Sequence, residues 1–483
     1  MSVRALISRF GRREDGALTA FGLFLIITMI IVGGMAIDVA NAVMVRTHLQ
    51  VAADSAAHAA LMTREHRTEA QAKAQAILIA QASLPPGKFG DTIRAEDIQF
   101  GRWDAASDTF IVIPGSDQGV MVSTQRLQTR GNAMATYFLK FIGMWNMNVV
   151  SQSVFETYYP TCFREGFVAE GRVDVQSNNR YRAGFCIHSN SHVEVNNNNV
   201  FEAGVIVSMP DKAHVVLPNS GYANNPGLQQ ALRSGAYRVR ILQRVQDIAN
   251  GYDDSASEFF RADYLNLPVR SNALSPSTNL DNSVWRPGEI HEFTCGSGGG
   301  GNDGINGGGG NGGGGNGNGN GNGNGGGGNG GGGNGGGGGG GNNTVRIPAN
   351  TTLTHGVIKT DCLISIGSGV ELRNVLIIST NTAVAAVSGA SGVVLGDDDN
   401  CASGGGVQIV TMGGVNFPAQ LHVYGSQIIA MGDIDFEANA NGIQGVSMVA
   451  GGEIDSTSNM DMGFCGGAGM ENRFEAEYFR MAR

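Results

Sequence analysis

The 483-residue chain has no charged residue between Ala17 and Ile37, no basic cluster beyond its first 13 residues, and no proline or glycine from Asp38 to Ala82. It also has no H-E-x-x-H, P-loop, G-x-S-x-G or paired C-x-x-C, which leaves the common compact metal, nucleotide and nucleophile signatures without a foothold. With a net charge of −10 and no arginine-lysine patch outside the N-terminal flank, the electrostatic footprint for binding a nucleic-acid duplex is missing. The uncharged run is 21 residues long, enough as a helix to cross the roughly 30 Å hydrocarbon core of a bilayer. Arg4, Arg9, Arg12 and Arg13 precede it and no basic residue follows before Arg46, which places the N-terminus in the cytoplasm and everything from Asp38 outside. A cleaved signal peptide is the rival, since Ala40-Asn41-Ala42 supplies a small-x-small site. The apolar run exceeds the usual signal core, however, and Asp38 separates it from that site.

The stretch without helix breakers continues the helix from Asp38 to Ala82. Leu49, Ala53, Ala56, Ala60 and Leu61 recur on one face, and Leu84-Pro85-Pro86-Gly87 stops it. The alanine face suits the protein's own next domain and a partner chain equally. His48, His58 and His66 are 10 and 8 apart; neighbours at those spacings do not form i,i+4 pairs, so solvated surface is expected and not a metal site. From Ile98 the period shortens: strands at Ile98–Trp103, Phe110–Ile113 and Val120–Val122, a helix over Ala133–Trp145 with Tyr137, Phe138, Phe141 and Ile142 on its apolar face, and a strand at Val149–Phe155. Together they read as an α+β module.

Arg12-Arg13-Glu14-Asp15-Gly16, the apolar run ending Ala36-Ile37-Asp38-Val39, the string Leu49-Gln50-Val51-Ala52-Ala53-Asp54-Ser55-Ala56 and the later Phe100-Gly101-Arg102-Trp103-Asp104 occur in that order. This region, residues 8–160, resembles TadG-like proteins of the tight-adherence (Flp) pilus assembly system. The resemblance implies a pilin-like module in a bitopic inner-membrane protein that helps build or anchor a fibre, with other pilus assembly proteins of the inner membrane and periplasm as partners. Related pilin-like subunits carry a glutamate five positions after a processing glycine. Here that position is Phe21, and no glutamate lies in the apolar run, so the segment is expected to remain as an anchor in contact with membrane lipid.

Beyond the module the chain repeats. Val173–Ile187 aligns with Val193–Val207, with Val173/Val193, Val175/Val195, Asn178/Asn198, Asn179/Asn199 and Gly184/Gly204 each offset by 20. Ile429–Asp435 aligns with Val449–Asp455 at the same offset, and Val410–Asn416 fits at 19. Leu363–Ile366 and Val375–Ile378 read as strands of earlier coils. Short β-rich units of this period mark a solenoid, in which stacked coils bury what one coil cannot. The expectation is one right-handed parallel β-helix or two short ones, with a β-sandwich as the competing class. Pro226–Ile248 reads as a helix. Gly296–Asn343 is almost entirely glycine and asparagine and reads as a flexible spacer. The resulting class is a membrane-anchored α+β and all-β protein divided into a basic segment (1–16), transmembrane helix (17–37), TadG-like module (38–160), N-terminal β-helix segment (161–210), helical insert (211–295), linker (296–343) and C-terminal β-helix segment (344–470).

Six cysteines, Cys162, Cys186, Cys295, Cys362, Cys401 and Cys465, lie beyond the apolar run. An even set in an oxidising compartment reads as disulfides, with Cys162 and Cys186 closing the shortest loop. Several constellations could carry chemistry. Asp397-Asp398-Asp399 offers hard-cation ligands but reads as an exposed turn. Asp433, Asp435, Glu453 and Asp455 form an acidic column with no repeating basic partner. Asp253-Asp254-Ser255-Ala256-Ser257 has D-x-S-x-S spacing without the buried strand that normally precedes it. His188 and His192, four apart on a strand, would lie about 13 Å from each other. None is assigned a catalytic, metal or cofactor role. The expected protein is a non-enzymatic component of pilus assembly in the inner membrane, its body in the periplasm; a membrane-tethered polysaccharide-binding or -cleaving protein and a surface adhesin are the alternatives.

Overall fold

The computed structural model describes residues 17–295 and 343–483. The basic segment, with Gly16, and all but the last residue of the Gly/Asn spacer lie outside the described residues. The chain divides into two compact units, one ending at Tyr159 and including Glu477–Arg483, the other Pro160–Ala476.

In the first unit, helix α1 (Ala17–Arg64) begins in the apolar run, and it is long and apolar enough to cross a membrane. It does not continue to Ala82 as expected. The chain turns at residues 65–68, and α2 (Glu69–Ser83) starts afresh. The cause is a capping box: the Gln71 amide donates to Thr68 Oγ1, and Gln71 Oε1 accepts from the Thr68 amide at 3.2 Å. His66 therefore sits in a turn. The alanine face turns inward on its own unit, where Ala56 and Ala60 share a core with Ala72 and Ala76 of α2 and with Phe100 and Val122. Small side chains let the two helices approach each other and the sheet. That sheet is antiparallel, built from β1 (Ile98–Asp104), β2 (Thr109–Val112), β3 (Gly119–Arg126) and β4 (Val149–Tyr158) in the order β2-β1-β3-β4. The C-terminal strand Tyr478–Met481 completes it by pairing with β4, an addition the sequence did not announce. The helix expected over Ala133–Trp145 is instead a small hairpin: Met134–Ala135 pairs with Asn146–Met147 around a 3₁₀ turn at Leu139–Ile142.

In the second unit every strand pairing among the described residues is parallel, which removes the antiparallel sandwich. Three ladders run side by side. In the first, Cys186–Ser189 lies between Gly166–Ala169 and Ile206–Met209. In the second, Val193–Val195 lies on Val173–Val175, and in the third, Val200–Phe201 lies on Arg180–Tyr181. Each partner is 20 residues away, the offset visible in the sequence. The later segments stack likewise, with Ile429 on Val449 and Val410 on Ile429. The two halves are joined: Ser447–Ala450 pairs with Gly166–Ala169, Ile454–Asp455 with Val173–Asp174, and Asp461–Met462 with Arg180–Tyr181. The stack thus runs from Ser271–Leu274 through Thr360 and Ala450 to Gly166, and ends at Leu232–Ser234.

Side-chain chemistry separates the ladders. The second alternates, as in Val173-Asp174-Val175, with its valines in the central core. The first is apolar on both faces, as in Val375–Ile378; Ile377 faces the central core, while Leu376 and Ile378 pack beneath Ile241, Tyr252 and Tyr264. The segment expected as one helix over Pro226–Ile248 is broken into Leu228–Ala231, strand Leu232–Ser234, a 3₁₀ turn at Arg240–Arg244 and helix Val245–Gly251. Leu232–Ser234 is drawn into the ladder beside Val207–Met209, where backbone pairing outweighs the helical spacing of its leucines.

The corners explain the asparagine pairs. Asn178, Asn198 and Asn459 adopt left-handed φ of 63°, 62° and 64°, which asparagine tolerates. Their side chains form a ladder, Asn198 Nδ2 to Asn178 Oδ1 at 3.2 Å and Asn178 Nδ2 to Asn459 Oδ1 at 3.1 Å. The following asparagines turn inward: Asn199 Oδ1 accepts the Asn179 amide at 2.9 Å, and Asn179 Oδ1 accepts the Met460 amide at 2.9 Å. Asn179→Ala therefore strands buried donors and acceptors and should cost about 3 kcal/mol, whereas Asn178→Gly, which keeps the left-handed backbone, should stay within about 0.5 kcal/mol of the parent. Denaturant unfolding reads the difference, and equal effects would contradict the inward ladder.

Two histidines are buried in this unit. His188 hydrogen-bonds Ser208 at 2.8 Å and Asn190 at 3.0 Å, and His291 stacks on Trp285. Burial lowers the pKa of both. An unfolded histidine takes up a proton below about 6.5, while these folded ones refuse it. Stability from this source is therefore whole above about 6.5 and declines as pH falls toward the lower folded values. The unfolding midpoint should drop between about pH 7.5 and 5.5, and His188→Gln should flatten that slope; an unchanged slope would contradict it.

Candidate functional site

The first unit has a site at the end of its apolar run. Side chains between Leu18 and Ile37 are largely exposed, and Phe21, Phe24, Met29 and Val32 each present more than half their surface. From Val45 onward one face of α1 is buried in the unit. Asp38 stands at the transition and is fully buried. Its Oδ1 accepts the amide of Tyr137 at 2.6 Å, and its Oδ2 accepts those of Phe138 and Leu139 at 2.8 and 2.6 Å. Burial opposes its charge, but the three amides and the nearby Lys140 outweigh that and hold the carboxyl below the ordinary range. Asp38 thus clamps the 134–147 hairpin to α1. The Ile-Asp step was visible in the sequence; its partner was not, because that segment reads as a helix.

The six cysteines form three pairs, Cys162–Cys186, Cys295–Cys362 and Cys401–Cys465, with Cα separations of 4.8, 5.3 and 5.7 Å. All are within the range a disulfide spans. Among the described residues, Cys295, Asp361 and Cys362 are the grouping compact enough to hold a metal ion, but the disulfide consumes both sulfurs.

Of the acidic column, Asp435 and Asp455 lie in the second ladder, while Asp433 and Glu453 just precede the strands Ile434–Ala450 and Ile454–Asp455. Asn416, Asp435, Asp455, Asp174 and Glu194 occupy successive positions in register. No basic residue repeats along it, but a single arginine, Arg172, serves several of these carboxylates. Its guanidinium reaches Asp174 at 3.2 Å, Glu194 and Glu453 at 3.1 Å and Asp455 at 2.9 Å, and these carboxylates raise its pKa against the cost of burial. Arg172 is about 280 residues from Glu453 and Asp455 in sequence and meets them only because the stack joins its two halves. Asp435, one rung further, has its pKa raised by partial burial and by Asp455 and Asp433. It lines a groove of about 820 Å³ with Asp455, Asp174, Pro418 and Thr457.

The other candidates stay apart. Asp397 pairs with Arg373 at 2.9 Å, while Asp398 and Asp399 are exposed. Asp253 and Asp254 lie in an exposed turn after helix Val245–Gly251. His188 is on a buried strand and His192 lies past the following corner, outside any strand, so the two do not share a strand as expected.

Arg172→Met should cost about 1–2 kcal/mol at neutral pH, a partly solvated network being worth less than a buried one. The loss should shrink near about pH 4, where the released carboxylates take up protons. Thermal unfolding at the two pH values checks this, and a pH-independent loss would show that the arginine acts through packing alone.

These features define a disulfide-braced body of stacked parallel strands and an α+β unit that carries an exposed apolar helix. The chain belongs to the family described as Domain of unknown function (DUF7867), whose model matches residues 166–300 and 339–466. Residues 16–76 match the Flp pilus-assembly TadE/G-like family, within the resemblance read over residues 8–160, and this connects the chain with Flp pilus assembly. No curated protein matches it.

Proposed function

We propose that the protein is a non-enzymatic structural component of Flp pilus assembly. Residues 17–37 hold it in the inner membrane with its N-terminus in the cytoplasm, and the stacked strands form a parallel β-helix in the periplasm. The observation that carries this reading is that the TadE/G-like match includes the stretch of α1 whose side chains the first unit leaves largely exposed. An exposed row of isoleucine, phenylalanine and leucine over this length is costly in water and favourable in lipid. The three disulfides fit an oxidising compartment. The ladders supply a long, rigid surface on which other assembly proteins can register, and the Arg172 cluster neutralises much of the acidic column, which suits a scaffold better than a pair of free carboxylates.

Deleting the gene should sharply reduce surface fibres, and both the parent chain and an Asp435→Asn variant should restore them. Normal fibres without the gene would overturn the assembly role. Failure of Asp435→Asn alone, with the variant folded, would favour chemistry in the groove. Release of the body from intact cells by added protease would favour a surface adhesin.

A further inference from the structure

The tip of the 134–147 hairpin is built against the logic of a soluble surface. Phe141 is 80% exposed and Trp145 69%, with Tyr137 and Ile142 also more than half exposed. Phe141 and Ile142 share their orientation with the hairpin's inner residues. Phe138, Leu139, Phe141 and Ile142 line one cleft with Ile27, Ile31 and Met35 of α1. Gly34 is the notch for this contact: a Cβ there would meet the Phe138 side chain at 2.5 Å. One turn later Asp38 holds the amides of Tyr137, Phe138 and Leu139. Ile27 lies 10 positions before Ile37, a helix length of about 15 Å, so the hairpin lies along the outer half of the apolar span.

We propose that this hairpin is a membrane-inserted wedge, its tip embedded in the periplasmic leaflet beside the protein's own helix. The proposal rests on the anchored reading. If Ala17–Ile37 crosses the bilayer, residues that line one cleft with Ile27 and Ile31 sit at hydrocarbon depth, so the partner of the exposed aromatics is lipid. The backbone fits that solvent, which demands internal hydrogen bonds. Besides the amides taken by Asp38, Phe141 donates to Phe138 O at 3.0 Å, Gly143 to Lys140 O and Met144 to Leu139 O, both at 3.1 Å. Trp145 and Tyr137 are the residue types that settle at the headgroup level, and Lys140 has a stem long enough to return its charge to that level. The wedge fixes the depth and rotation of α1 in the bilayer.

All six cysteines are paired, so a single introduced thiol can be labelled specifically. The full-length protein in phospholipid vesicles, carrying Phe141→Cys with an environment-sensitive fluorophore, should be quenched by nitroxide lipids and not by aqueous iodide. Leu25→Cys reports on the anchor itself, and Ser116→Cys is the aqueous control. Iodide quenching at position 141 with lipid quenching at position 25 would overturn the wedge and leave the anchor standing. Iodide quenching at both would overturn the anchor as well. Shielding of position 141 from both quenchers would overturn the lipid assignment in favour of a protein partner. Asp38→Ala should move the position-141 label from lipid to water while the label at position 25 stays in lipid; a label unmoved by this change would remove Asp38 as the clamp.

Discussion

The parallel pairing of Ser447–Ala450 and Ile454–Asp455 with Gly166–Ala169 and Val173–Asp174 is the contact on which the second unit depends. It makes one stack out of two segments distant in sequence. Without it, each half would end in an apolar rung with open backbone donors and acceptors, the edge that solenoids must cap. Gly166 shows how tight the junction region is: its φ is 141°, and a Cβ there would strike the Cys186 carbonyl oxygen. The same pairing brings Arg172 to Glu453 and Asp455 and Asn179 to Met460. Backbone register thus comes first, and the polar networks follow from it.

The local period was legible because a stacked rung repeats its chemistry. Valines at alternate positions, then an asparagine pair, then glycine, recur whenever the next rung must bury and turn in the same way, and the offset of 20 between Val173 and Val193 is the ladder register itself. In the first unit β4 was legible for a similar reason: Val149, Ser151 and Ser153 are buried while Val150 and Gln152 between them are exposed. What the sequence could not disclose was order in space. Repeats reveal that coils stack, but not that the last coil of the chain lies on the first. The one arginine that serves the acidic column, Arg172, lies about 280 residues away in sequence and was not linked to it, and the C-terminal strand Tyr478–Met481 went unassigned.

Two misreadings have identifiable physical causes. Residues 133–145 have helical spacing of apolar side chains, yet that spacing reports which residues avoid water and not what backbone they adopt. Here Asp38 takes three amides that a helix would have used or left open at its start, and the apolar side chains point toward α1 and outward. Residues 65–68 carry no glycine or proline, so the break in the long helix was hidden, although the Thr68-x-x-Gln71 signature of a helix start was present.

The two units divide the proposed work. The alanine-faced helices and the antiparallel sheet hold α1 rigidly, and the Asp38 clamp sets the point where its apolar part emerges. The stacked strands offer length and a fixed surface, braced by disulfides. Retention of the apolar helix is the central claim, because compartment, disulfide chemistry and the role in assembly all follow from it. The most direct measurement is the intact mass of the mature protein extracted from membranes: the account predicts a chain that still contains residues 17–37, and a mature chain beginning just after Ala42 and recovered in the soluble fraction would contradict it.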